Sequence, residues 1–146
     1  MLNIFLYLVS TLIFSSSYFT ECKDCTRKQM ATHYRPMIEY VAEQTDLPQH
    51  LIWGYFIMET GGKSNALVNY NNPAGIMECI GNNCQVKKFN TPLDGISAWI
   101  RVLNNKAYKV AKTYKGEQLY IQMGCIYHPD SSHKLRYQVG RTWKTK

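Results

Sequence analysis

Acidic side chains are scarce in this 146-residue chain: ten Asp plus Glu stand against 17 Lys plus Arg, a formal charge of +7. That balance favours an anionic partner, whether nucleic acid, an acidic membrane surface or an acidic polymer, without choosing among them. No repeat of fixed period is present, and nine Gly and five Pro are ordinary numbers, so collagen-like, solenoid and disordered classes are excluded. His33, His50, His128 and His133 lack H-E-x-x-H or any other ligand spacing, which argues against a metal hydrolase. A G-x-S-x-G elbow and a phosphate-binding P-loop are also lacking, and no cofactor is expected. What is present is apolar and aromatic: 45% of residues are hydrophobic and eleven are Tyr, enough for one compact core and too short a chain for two large domains.

Charge is wholly missing from the side chains of Met1 to Thr20. The run from Leu2 to Val9 continues through Leu12, Ile13 and Phe14 and ends in Ser15-Ser16-Ser17, the shape of an export signal despite the lack of a basic residue at its start. The alternative is an uncleaved anchor, for which Asn3 and the serines make a poor membrane span. The expected division is therefore a signal over 1–20 and a single domain over 21–146, exported to the periplasm, the cell envelope or the exterior, with no stable membrane insertion once the signal is removed.

Export makes the five Cys interpretable, because thiols of small exported domains usually end as disulfides. Cys79 and Cys84 enclose Ile80-Gly81-Asn82-Asn83, a turn-rich insert suited to a disulfide-closed hairpin. Of the remaining three, one of Cys22 and Cys25 is expected to tie the amino terminus to Cys125, leaving the other free or paired with another molecule. The Cys22-x-x-Cys25 spacing has neither the preceding strand of a redox motif nor two further zinc ligands, so no metal is expected.

Hydrophobic periodicity predicts a helix beginning near Pro36 and carrying Met37, Ile38, Val41 and Ala42 on one face until Asp46-Leu47-Pro48. From Pro48 to Thr60 the chain is apolar on all sides, which predicts a buried helix, and Gly61-Gly62 stops it with Glu59 in its last turn. Residues 63–90 read as loop with at most a small hairpin. Thr91-Pro92-Leu93-Asp94 opens another helix with Ile96, Trp99, Ile100 and Leu103 on its apolar face. Two shorter helices are expected around 117–124 and 132–143. The fold class is mainly α, with a minor β part making it α+β.

Glu59 is the residue that asks for an explanation. A carboxylate ending an apolar helix is disfavoured by burial and by the negative end of the helix dipole. An apolar surround favours the protonated form of a carboxyl, which is what a glycosidase general acid needs to protonate a leaving oxygen.

Glu59-Thr60-Gly61-x-x-Ser64, followed by Asn71-Asn72-Pro73-Ala74-Gly75-Ile76, resembles the E-[ST]-G-x-x-S and N-N-x-x-G-I pattern of lysozyme-like β-N-acetylglucosaminidases, glycoside hydrolase family 73. Phe89-x-Thr91-Pro92-x-Asp94-Gly95-Ile96 with Trp99, Leu103 and Tyr108 is similar to that family's F-x-S-x-x-x-S-I-x-x-Y helix, and the Cys79–Cys84 insert is similar to one in its Bax-like members. The resemblance covers residues 36–130. It implies a lysozyme-like helical domain with a short loop and hairpin lobe, cutting the β-1,4 bond after N-acetylglucosamine in peptidoglycan glycan strands. Glu59 is then the general acid, and Ser64, Asn71, Asn72 and Gly75 are substrate-binding positions. The family's second Glu lies in an extended lobe; here the lobe is compressed into 77–90, and Glu78 is its only acid. The family's carboxy-terminal Tyr follows a Gly, whereas Gly124-Cys125-Ile126-Tyr127 has Cys at the direct match, making Tyr127 a substitute.

Should Glu78 fail to reach the reacting carbon, Glu59 could act alone, with the substrate's acetamido group as nucleophile or a sugar hydroxyl closing an anhydro product. Muramidase or lytic transglycosylase is the nearest rival, since Glu59-Thr60-Gly61-Gly62 also resembles the E-S-G-G of those enzymes. A non-catalytic wall-binding or adaptor module is a different class. Ten Lys plus Arg in residues 101–146 suit anionic envelope polymers, and without a basic recognition motif no nucleic acid is expected as partner.

Overall fold

The computed structural model describes residues 14–127, with the side chains of Ala107 and residues 124–127 outside the description. Helix α1 spans Arg27–Thr45, α2 Gln49–Thr60 and α3 Asn65–Tyr70; the strands β1 (Met77–Ile80) and β2 (Asn83–Val86) follow, then α4 (Pro92–Leu103), α5 (Lys106–Ala111) and α6 (Gly116–Tyr127). The class is thus mainly helical with one small hairpin, as expected. Helix α1 packs against α2 and α4, and α5 against α6.

Helix α1 starts earlier than the periodicity predicted. Thr26 accepts from the Gln29 amide and the Gln29 side chain accepts from the Thr26 amide, a capping box that begins the helix nine residues before Pro36. Pro36 therefore lies inside the helix, which forgoes one hydrogen bond there. Tertiary burial offsets that loss: Met30, Tyr34, Met37, Ile38 and Val41 recur at helical spacing and are all buried. Helix α2 follows the sequence reading closely, with Leu51 to Phe56 continuously buried and Gly61 closing it in the left-handed region at φ 59°.

Several of the thirteen described residues before α1 (14–26) pack into the same core as the helices. Phe14, Tyr18 and Phe19 are buried in the core. The Tyr18 hydroxyl donates to the His33 carbonyl at 2.9 Å, and His33 Nε2 lies 2.6 Å from the Tyr18 carbonyl. Their rings stack at 4.6 Å. Cys22 and Cys25 are bonded to each other across the turn that leads into α1, with Cα atoms 4.8 Å apart. This replaces the expected link to Cys125: a three-residue separation already brings the two sulfurs together. The Cys125 side chain lies outside the described residues.

Two short helices, α3 and α5, were missed because six residues carry too little periodicity to register. Ser64 caps α3, its Oγ accepting from the Leu67 amide at 3.2 Å, and Asn71 ends it at φ 51°. In the hairpin, Ile80 pairs with Asn83 and Cys79 with Cys84, so Gly81 and Asn82 form a two-residue turn. Gly81 has φ 60°, as the first central position of a type II′ turn needs. The predicted Cys79–Cys84 bridge is present. Helix α4 has the predicted Thr91–Asp94 capping box, with Pro92 in the first turn and Ile96, Trp99 and Leu103 fully buried. The helix expected over 132–143 lies outside the described residues.

Candidate functional site

Glu59 stands half-buried in the last turn of α2. Beyond it the chain is held by side chains from inside. Thr60 Oγ donates to the Phe56 carbonyl at 2.7 Å and accepts from the Gly62 amide at 3.0 Å. The buried Tyr34 hydroxyl donates to the Gly62 carbonyl at 3.0 Å. Gly62 has φ 76°, and a Cβ there would meet Met30 Sδ at 2.7 Å, so the second glycine of the doublet is required by both backbone and neighbour. Sequence reasoning missed these supports from α1, because it treated the glycine pair only as a helix stop.

Facing Glu59 is the loop 71–76. Gly75 has φ 62°, and a Cβ on it would lie 3.3 Å from Glu59 Oε2. The loop owes its shape to Asn72, whose side chain is completely buried. Its Nδ2 donates to the carbonyls of Ile76 and Lys87, both at 2.9 Å. Its Oδ1 accepts from the amides of Ile76 at 2.9 Å and Ala74 at 3.4 Å. Asn71 Nδ2 donates to the Phe89 carbonyl at 3.1 Å. One short loop is thereby fastened to both sides of the strand exit, and its tip is turned toward the carboxylate.

The third segment locks on from behind. A Cβ on Gly95 would overlap the carbonyl oxygen of Asn71 and touch Pro73, so α4 approaches the loop at a distance that only glycine permits. Glu59, the Asn-Asn loop and the Thr91–Ile96 helix start are consequently one assembly, although they are far apart in sequence.

The remaining candidates take different places. Ser64, Asn71 and Asn72, read from the sequence as substrate-binding, have their side-chain polar groups engaged by backbone within this architecture. Gly75 borders the carboxylate. Glu78 lies on β1, opposite Gln85, and forms an ion pair with Lys87 at 3.2 Å. Both partners keep about two-fifths of their side-chain surface exposed, so the pair is a solvent-facing one of small energetic weight. The hairpin face bearing Glu78, Ile80, Asn83 and Gln85 lines an open cavity of about 470 Å³. Tyr127 is the last residue of α6, and its side chain lies outside the described residues. Among the described residues no group of three or more His, Cys, Asp or Glu could hold a metal ion. None of their helices is long and apolar enough to cross a membrane.

Compared with family models, with curated proteins and with solved structures, the chain matches none.

Proposed function

We propose that the chain is a glycosidase of peptidoglycan, in which Glu59 protonates the leaving oxygen of the β-1,4 bond after N-acetylglucosamine. The observation that carries this reading is the assembly around Glu59. The three segments quoted for the glucosaminidase resemblance meet through the Glu59–Gly75 and Asn71–Gly95 approaches, the second of which only glycine permits. A half-buried carboxyl beside a loop fixed by Asn72 suits general acid catalysis, where the acid must stay within hydrogen-bond reach of one oxygen. The two disulfides support an oxidising, exported setting. The formal charge of +7 supports attraction to anionic envelope polymers as well as to the glycan strands.

The solvent-facing place of Glu78 on the hairpin favours a second reading of the other half of the chemistry. In it Glu78 takes no part and Glu59 acts as the sole carboxyl. The substrate's acetamido oxygen then attacks the anomeric carbon as the glycosidic bond breaks, or a sugar hydroxyl closes an anhydro product as in a lytic transglycosylase. Muropeptides released from purified peptidoglycan and reduced with borohydride separate these outcomes by mass. Reduced N-acetylglucosamine ends are expected. Reduced or anhydro muramic ends would move the assignment to the muramidase or transglycosylase class, and no release at all would make the chain a wall-binding module.

A further inference from the structure

Behind the Asn-Asn loop, an open groove of about 340 Å³ runs between the foot of the hairpin and α4. Ile76, Phe89, Ala98 and Val102 give it apolar walls, and Lys87 and Arg101 give it two cations. Ala98, Arg101 and Val102 share one face of α4 by their spacing of three and four. The opposite wall is fixed by the same contacts that shape the site: Asn72 holds both backbone groups of Ile76, and the Phe89 amide donates to the Tyr70 carbonyl at 2.9 Å. Ile76, which lines the groove, follows Gly75 directly in the loop that borders Glu59.

The charges are unevenly satisfied. Lys87 Nζ is 3.2 Å from Glu78 and 5.8 Å from the centre of the Phe89 ring. Arg101 is exposed and has no ion-pair partner among the described residues. A guanidinium beside an aliphatic and aromatic wall matches a ligand that carries carboxylates on a partly apolar frame. A phosphodiester polymer would satisfy the cations and leave the apolar wall unused.

We propose that this groove binds the carboxylate-bearing peptide substituents of the glycan strand, with Arg101 as the principal anchor; the identity of the ligand rests on the peptidoglycan reading above. A peptide seated here would hold the strand while Glu59 meets the neighbouring glycosidic bond.

The test is titration calorimetry of the intact protein with a synthetic alanyl-γ-glutamyl-lysine peptide, which requires no turnover. Arg101→Gln is expected to weaken binding by about tenfold or more, the range for a hydrogen bond to a charged group. Arg101→Lys should recover part of the loss, and amidation of the peptide's carboxylates should reproduce it. In parallel, Arg101→Gln should raise KM more on peptide-bearing glycan than on glycan stripped of its peptides. Binding of the peptide without any glycan cleavage would keep the groove assignment and overturn the glycosidase reading. Glycan cleavage without peptide binding would overturn the groove assignment alone. Equal binding by Arg101→Gln and the parent, or competition by inorganic phosphate as strong as by the peptide, would also overturn it.

Discussion

Gly75 and Glu59 approach so closely that a single added methyl group on the glycine would sit 3.3 Å from the carboxylate oxygen Oε2. Gly75→Ala is expected to affect function twice. An L-residue at φ 62° costs about 1–2 kcal/mol of backbone energy, and the methyl group displaces the carboxyl. Gly81→Ala is the matched control, since it has φ 60° and nothing within 4 Å of its added Cβ. Both variants should lose similar stability in urea, while Gly75→Ala alone should lose activity by about tenfold or more, because small misplacements of reacting groups are costly. Equal activity in the two would mean that the approach has no bearing on the chemistry.

Asn72 should behave as a structural keystone. Asn72→Ala removes the carboxamide that serves Ile76, Ala74 and Lys87 and leaves buried backbone groups without those partners. A loss of about 3 kcal/mol is expected at equilibrium, in line with unsatisfied buried groups. A cost below about 0.5 kcal/mol, typical of surface changes, would show that the loop is held by other means.

The segment before α1 provides a separate stability test. Phe19 is almost fully buried, so Phe19→Ala should destabilise the fold by about 3 kcal/mol or more. A chain beginning at Glu21 should be weaker still, because Phe14 and Tyr18 leave the core with it. Unchanged urea midpoints for both would show that this segment adds nothing to the stability of the fold.

Part of this organisation was legible in the sequence and part was not. The buried helix ending at Glu59, the capped helix at Thr91 and the Cys79–Cys84 hairpin all carry local signals: continuous apolar character, a capping box, and two Cys about a turn. The beginning of α1 is also a local signal, the Thr26–Gln29 capping box, which the reading from Pro36 did not take into account. The Cys22–Cys25 bond was passed over for a longer link that spacing could not specify. At the site, Glu59 stood out because charge is unusual in such a helix. The work of Asn72 and Gly95 depends on contacts between segments, which no periodicity encodes. The packing of Phe14, Tyr18 and Phe19 into the core likewise depends on contacts with α1 that an apolar run does not encode.

Buried tyrosines give the fold an alkaline limit. Burial pushes the Tyr108 phenol from its ordinary 10.0 up to about 12, and raises Tyr18 and Tyr34 as well. Above pH 10.0 the unfolded chain gives up these protons while the folded chain retains them, so the folded state binds more protons and stability falls as pH rises. The contribution is present in full below that value and is lost through about 12 for Tyr108. Thermal midpoints measured against pH should decline across that window, with phenolate absorbance appearing together with unfolding. Phenolate forming in the folded protein at the ordinary value would contradict the burial of these rings.

In Glu59→Gln the amide keeps the shape of the side chain and lacks the proton that a general acid transfers. On purified peptidoglycan, release of muropeptides should fall by about a hundredfold or more while the urea midpoint stays near that of the parent. Glu78→Gln, measured beside it, should lose less than about tenfold if the second carboxyl is not required. Muropeptide release by Glu59→Gln at the parent rate would rule Glu59 out as the general acid.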